Sequence, residues 1–103
     1  MTHRLIVRPE AEADITAAAV WYDERRPKLG DDFLSEVEVA LASAVLNPRQ
    51  YPRIRRKPEV RRTLTARFPY RIFFVLTPEA VIVFRVLHAA RHDREWKRNV
   101  PKP

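Results

Sequence analysis

The stretch RFPYRIFFVLTPEAVIVFRVLHAARHDREW, residues 67–96, contains two apolar runs joined by TPEA. Residues 70–76 and 81–89 are rich in β-branched and aromatic side chains, which predicts two strands. Pro78 suits the first inner position of a turn, so the two strands should pair as an antiparallel hairpin. Apolar residues occupy both the odd and the even positions of each run. Neither face of this hairpin therefore has the composition of a solvent-exposed surface.

The chain before this hairpin predicts two helices and two further strands. Pro9 is tolerated in the first turn of a helix, and apolar residues recur at helical spacing to about residue 26. A connector at 25–32 follows, and Asp31 is expected to be the N-cap of a second helix that ends at Asn47. The predicted order is strand 3–7, helix 9–26, helix 31–47 and strand 60–66, followed by the hairpin.

This order predicts an α+β fold: a strand, an antiparallel helical hairpin, then a three-stranded antiparallel meander. The length of 103 residues predicts a single domain, 1–103. The helices can cover only one sheet face, so the other should be an apolar surface that a partner covers. With a tight turn, Arg71, Phe73 and Val75 would share a face with Ile82, Phe84, Val86 and His88.

Composition narrows the possible functions. The chain has no cysteine and one glycine, which excludes disulfides, a cysteine nucleophile and a glycine-rich phosphate loop. The net charge is +7, but residues 49–71 alone carry nine Lys/Arg and one Glu, a local +8. Such a segment predicts a polyanion or an acidic protein as partner. No signal peptide or membrane span is expected, so we predict a cytoplasmic protein.

The polar residues in and after the two strands allow both structural and functional interpretations. Arg71 could bond backbone carbonyls or pair with Glu10 or Glu38, or it could contact a partner. Arg85 is expected to extend along a sheet edge with its charge in solvent. His88 could be a structural histidine at a strand end, with its hydrogen bonds made within the protein. It could also be a general base or a pH-dependent contact.

The segment after the last strand contains Arg91, Asp93, Arg94 and Trp96. These residues could form a capped turn that fixes the tail, with Trp96 packed against the fold. Residues 88 and 92 form an HxxxH pair across a strand end rather than on one helix face, so we expect no metal site. We also expect no cofactor and no small-molecule substrate.

The order of elements, with FPYRIFF, VIVFRVLH and HAARHDREW, resembles the RelE/ParE family of toxins from type II toxin–antitoxin modules. The upstream RPEAEADI and WYDERRPKLGDDFLSEVEVAL are similar to the ParE branch, in which a helical hairpin precedes the sheet. The resemblance covers essentially the whole chain. It implies a growth-inhibiting toxin, held inactive by a cognate antitoxin, that contributes to plasmid or chromosome stability.

The resemblance leaves two targets. ParE-like toxins inhibit DNA gyrase by protein binding, whereas RelE-like toxins cut messenger RNA on the ribosome with basic residues. If this chain were a RelE-like nuclease, the resemblance implies that its catalytic basic residues would be Arg62, Arg71 and Arg91. Leu64 stands where the nucleases place a lysine, and Trp96 or Lys97 where they place a tyrosine, which favours the gyrase inhibitor over an enzyme.

We therefore predict a gyrase inhibitor, with a ribosome-dependent messenger RNA endoribonuclease or a non-toxic basic nucleic-acid-binding domain as alternatives. The residues predicted to contact the target or the antitoxin are Arg62, Arg71, Phe73, Arg85, His88, Arg91 and Trp96.

Overall fold

The computed structural model describes residues 3–102. The elements in chain order are β1 (Arg4–Val7), α1 (Pro9–Arg25), α2 (Leu29–Leu46), a 3-10 turn (Pro48–Gln50), β2 (Arg53–Arg55), β3 (Val60–Leu64), β4 (Tyr70–Leu76), β5 (Ala80–His88) and α3 (Arg94–Lys97). The predicted α+β class is confirmed. None of the helices within residues 3–102 is both long enough and apolar enough to cross a bilayer.

The sheet has five strands in the order β1-β5-β4-β3-β2. Strands β2 to β5 form an antiparallel meander, and β1 pairs with β5 in parallel. The meander thus has one strand more than the three predicted. Strand β2 has only three residues and a register shift between Arg53 and Arg55, so it carries no periodic signal.

The two helices form the predicted antiparallel hairpin, and a tight reversal joins them. Lys28 has φ 72°, in the left-handed region, and precedes the first residue of α2. Asp31 therefore lies in the first turn of α2, and the prediction that it is the N-cap was wrong. Its carboxylate still favours the positive end of the helix dipole.

Gly30 permits the close approach of the two helices. Its N–H donates to Oδ1 of Asp23 at 2.7 Å. A Cβ at this position would overlap the carbonyl oxygen of Ala19 and the Asp23 carboxylate. The only glycine of the chain is thus required by packing rather than by its backbone angles.

The helical hairpin packs on one face of the sheet and forms the larger core. This core joins Ala11, Ala18, Phe33, Val37, Leu41 and Ala44 of the helices to Ile72, Phe74, Leu76, Val81, Val83 and Val86 of the sheet. Phe33, Phe68 and Tyr70 meet edge to face at one end, with ring centroids 5.0 and 5.4 Å from that of Phe33. Such aromatic contacts fix the angle between the hairpin and the sheet.

The sheet face opposite the helices, called here the far face, carries a second core. Val60, Phe73, Val75, Phe84 and Leu87 pack there with Trp96 and Val100. The last two residues belong to the C-terminal segment, which folds back over the sheet. The expectation of a face left for a partner to cover was therefore wrong for most of this surface.

Trp96 forms the centre of that cover. Its ring stacks on Phe73 at 5.4 Å between centroids with an interplanar angle of 18°. It is 5% exposed, and Phe73 is fully buried. Both tryptophan and phenylalanine are thus interior residues of the far-face core.

A β-bulge changes which residues share a face. Phe73 pairs with Arg85, but Phe74 pairs with Val83, so β5 has one extra residue between these pairs. Beyond the bulge the parity reverses, and Val86 lies in the helix-side core while Leu87 lies on the far face. The predicted grouping of Val86 and His88 with Phe73 was therefore wrong.

Candidate functional site

Two of the predicted arginines lie together on the far face. Arg62 pairs with Phe73 across β3 and β4, and Arg71 pairs with Leu64. Paired residues point to the same side of a sheet, so Arg62 and Arg71 flank Phe73 on the far face. The Arg71 guanidinium lies 5.1 Å from the centroid of the Phe73 ring.

Arg71 is held by the turn that follows β5. Its Nη1 donates to Oδ1 of Asp93 at 2.9 Å, and its Nη2 donates to the carbonyl oxygen of Arg91 at 2.7 Å. The structural interpretation is correct for the backbone carbonyl, but the acid is Asp93 and not Glu10 or Glu38. The hydrogen bond from Arg71 holds the pKa of the Asp93 carboxyl below its usual range.

The segment after β5 forms a turn fixed by several local contacts. Nδ1 of His88 accepts from the N–H of Ala90 at 3.0 Å, and Nδ1 of His92 accepts from that of Arg94 at 3.1 Å. Both imidazoles therefore serve as acceptors for backbone N–H groups of the turn.

Arg91 is the exposed member of the predicted arginine set, and it forms an ion pair within this turn. Its Nη2 lies 3.3 Å from Oε2 of Glu95, and Nη2 of Arg98 lies 3.0 Å from Oε1 of the same carboxylate. Partial desolvation of Glu95 is outweighed by these two arginines, so the pKa of Glu95 is lowered. About half of the Arg91 side chain remains exposed.

Arg85 does not extend along an edge into solvent as predicted. Its Nε and Nη2 donate to the Asp14 carboxylate at 2.7 and 3.0 Å, and the N–H of Val86 donates to the same group at 2.9 Å. The hydrogen bond to Asp14 raises the pKa of the Arg85 guanidinium. This bidentate pair ties α1 to β5 at the bulge.

A groove of about 600 Å³ lies between α1 and the ends of β4 and β5. Its walls include Trp21, Tyr22, Tyr70, His88 and Arg91. Burial raises the pKa of the Tyr22 and Tyr70 phenols, so both remain neutral hydrogen-bonding groups. Trp21 is half exposed, and the Arg25 guanidinium lies 3.5 Å from the centroid of its ring.

A smaller apolar cleft remains on the far face, beyond the end of the C-terminal cover. It measures about 560 Å³, and its walls include Val75, Pro78, Ile82 and Pro101. Three cations, Arg56, Lys57 and Lys102, also line it. This cleft is what is left of the uncovered face that the sequence predicts.

The model of the family described as "ParE toxin of type II toxin-antitoxin system, parDE" matches residues 5–93 of this chain. The chain belongs to the ParE toxin family. A chain of a solved structure titled "Chromosomal ParDE TA system from P. aeruginosa" superposes with a TM-score of 0.73 at 18% identity. That match covers 84% of this chain and 96% of the other, and it confirms the fold. No curated protein matches.

In this ParE-family toxin the predicted site residues fall into three groups. Arg62 and Arg71 are half-buried beside Phe73 on the far face. Phe73, Trp96 and Arg85 are buried or tightly paired, so they position other groups. Arg91 and His88 are exposed, and the two share the groove with Trp21. Trp21 was not among the residues predicted from the sequence, although a tryptophan outside the apolar stripe of an amphipathic helix is itself a signal of an exposed binding residue.

Among residues 3–102, no three His, Asp or Glu side chains are arranged to hold a metal ion.

Proposed function

We propose that this ParE-family toxin inhibits DNA gyrase by binding it, with residues 1–103 acting as one domain and with no reaction catalysed by the toxin itself. The observation that carries the proposal is that the Arg71 guanidinium is already paired within the protein. A nuclease would need this guanidinium free to stabilise charge on a phosphate. Here Asp93 neutralises it at 2.9 Å, and the carbonyl of Arg91 takes a second donor.

Two neighbouring positions support the same conclusion. Leu64 is 57% exposed on β3, where the resemblance places a lysine in the nucleases. Near the C-terminus, where the resemblance places a tyrosine in the nucleases, the chain has Trp96, buried against Phe73, or Lys97. Leu64 and Trp96 cannot transfer a proton, and Lys97 is not a phenol, so two proton-handling groups of the nucleases are missing at these positions.

The groove beside α1 is the surface that we assign to gyrase. Trp21 and Arg91 are exposed there, and tryptophan and arginine dominate the residues that contribute most to protein–protein affinity. The helix and the His88 turn hold both residues on ordered backbone, so little conformational freedom is lost on binding. The site of action would then be the cytoplasm, where gyrase works.

The far-face cleft is the surface that we assign to a cognate antitoxin. An apolar antitoxin side chain would fill the cleft over Val75 and Ile82, and acidic neighbours would approach Arg56, Lys57 and Lys102. Charge complementarity of this kind increases the association rate and fixes register.

One observation favours a second candidate, a ribosome-dependent messenger RNA endoribonuclease. The Nε atoms of Arg62 and Arg71 are buried and have no hydrogen-bond partner. These two N–H groups lie on the same face and, once the cover over them is displaced, could donate to a phosphate oxygen.

The test is a supercoiling assay with purified gyrase and the purified toxin. The wild-type toxin should inhibit supercoiling, and Trp21→Ala should raise the half-inhibiting concentration by about tenfold or more, which is about 1.4 kcal/mol. Val39→Ala is the matched control, because Val39 is 70% exposed on the other helix. Absence of inhibition by a folded wild-type toxin would contradict the proposed function.

The antitoxin assignment has its own test. Co-expression of a cognate antitoxin, sought as a short open reading frame beside the toxin gene, should restore growth and yield a stable complex. Arg56→Glu with Lys102→Glu should weaken that complex, while Arg26→Glu with Lys28→Glu, exposed cations of the helical connector, should not. Equal weakening by both pairs would exclude the cleft as the antitoxin site.

A further inference from the structure

The edge of the sheet at β2 carries five exposed cations. They are Arg49, Arg53, Arg55, Arg56 and Lys57, called here the basic edge. Within residues 3–102 no acid lies within ion-pair distance of any of them, whereas Arg61 and Arg67 of the same basic segment pair with Glu59 and Glu36. The structure therefore divides the predicted basic segment into three arginines paired with acids, Arg61, Arg67 and Arg71, the half-buried Arg62 of the far face, and an unpaired group at one edge.

The backbone that presents the basic edge is held in place. Nε of Arg61 donates to Glu59 at 2.7 Å, and its Nη1 donates to the carbonyl of Tyr51 at 2.6 Å. The Tyr51 hydroxyl donates to Oγ of Ser43 at 2.8 Å, which ties the segment to α2. Arg61, which is paired with an acid, thus holds this segment of backbone in place. The cations around it project from that fixed backbone.

The spacing of the cations follows from the strand. Arg53 and Arg55 flank Ile54, which packs against the far-face core, and the register shift between them places Arg53 opposite Arg61 and Arg55 opposite Val60. Residues two apart in a strand are separated by about 6.6 Å. The turn at residues 56 and 57 extends the same row of positive charge beyond the end of β2.

We infer that the basic edge binds the phosphate backbone of duplex DNA without sequence preference. The lack of exposed apolar side chains between these cations favours DNA over an acidic protein as the partner. A protein interface needs apolar anchors. Arg56 and Lys57 also border the apolar cleft assigned to the antitoxin, but between Arg49 and Arg55 the large apolar side chains, Tyr51 and Ile54, are turned into the fold. Phosphate contacts need only positive charge at an ordered edge.

The same observation favours a duplex over a single strand. Single-stranded nucleic acid is bound by exposed aromatic side chains on which bases stack. No aromatic side chain is exposed among residues 49–57, which carry the basic edge. The inference goes beyond the proposed function, because it concerns the free toxin and needs neither gyrase nor antitoxin.

The experiment titrates the full-length toxin against a fluorescent duplex of mixed sequence, about 20 base pairs long, in a series of salt concentrations. Five phosphate contacts predict a slope of about −4.5 in the logarithm of affinity against the logarithm of salt, at about 0.9 per contact. Between about 50 and 200 mM salt the affinity should then fall by about 500-fold. A second duplex of unrelated sequence should bind equally.

The test variant is Arg53→Gln, Arg55→Gln and Arg56→Gln together. The control carries Arg4→Gln, Arg26→Gln and Lys28→Gln, three exposed cations distant in sequence from β2, so both variants fall from net charge +7 to +4. The test variant should lose about 2.7 units of slope, at about 0.9 per contact, and the control should retain the wild-type value.

Three outcomes would overturn the inference. Equal loss in both variants would mean that net charge alone attracts DNA. Tighter binding of polyglutamate than of duplex would mean that the edge fits an acidic protein. Absence of DNA binding at low salt, with aggregation of the test variant, would mean that the cations only prevent edge-to-edge pairing of β2. A supercoiling assay on the same variants reports separately on the proposed function.

Discussion

Replacement of Trp96 by alanine tests whether the C-terminal segment of the chain itself covers the far face. The ring is 5% exposed and lies parallel to Phe73 in a core that also contains Val60, Val75 and Phe84. The substitution removes the largest side chain of that core and leaves the sheet intact. The far face should then lose its cover and the fold should lose a large part of its stability.

The size of the loss follows from the buried area. A tryptophan buries roughly 200 Å², which at roughly 25 cal/mol per Å² corresponds to about 5 kcal/mol. Residual compactness of the unfolded chain lowers this by about 10–40%, to about 3–4.5 kcal/mol. Measured replacements of buried tryptophan or phenylalanine by alanine cost about 3–5 kcal/mol.

Urea unfolding followed by circular dichroism measures this loss. With a slope near 2 kcal/mol per molar urea, the midpoint should fall by about 2 M. Trp21→Ala is the matched control: Trp21 is 50% exposed, so its loss should cost less than about 1 kcal/mol. Equal midpoints for the two variants would refute the assignment of Trp96 as the cover of the far face.

Three further substitutions have expected outcomes. Arg71→Ala should reduce toxicity only in part, since it removes the support of the turn but not the groove, and growth after induction at matched expression measures this; complete loss in a folded variant would favour catalysis. Because Arg71 lowers the pKa of Asp93, this carboxyl adds stability above its unfolded pKa that is lost as pH falls through the folded pKa. Urea unfolding should therefore show Asp93→Asn to be destabilising at neutral pH and progressively less so as the pH falls below the ordinary range of a carboxyl; an effect independent of pH would contradict the pair. Gly30→Ala should destabilise by about 1–3 kcal/mol in thermal unfolding, although alanine ordinarily favours a helix, because the Cβ has no room beside Asp23; a raised melting temperature would contradict this.

The strand pattern in the sequence predicted β4 and β5 well because both faces of these strands are buried. The same property concealed the bulge. With apolar residues on both parities, no break in alternation indicated that Phe84 and Leu87 share the far face while Val86 turns to the helices. Strand β2 was missed because three residues cannot establish a period of two.

The contacts of the site residues could not be predicted from local pattern. Arg85 pairs with Asp14, 71 positions earlier, and Arg71 pairs with Asp93, 22 positions later. Both partners are brought together only by the packing of α1 on β5 and by the turn after β5. Trp96 was expected to pack, but the surface that it covers depends on how the tail folds back.

The most direct test of the central claim measures plasmid topology and message 5′ ends in one culture after induction of the toxin. A toxin that acts by binding gyrase should leave plasmids relaxed and ribosome-bound messages intact. A ribosome-dependent nuclease would leave supercoiling unchanged and produce cuts in phase with codons. The second result would contradict the account, because it would require Arg71 to act on a phosphate despite its pairing with Asp93.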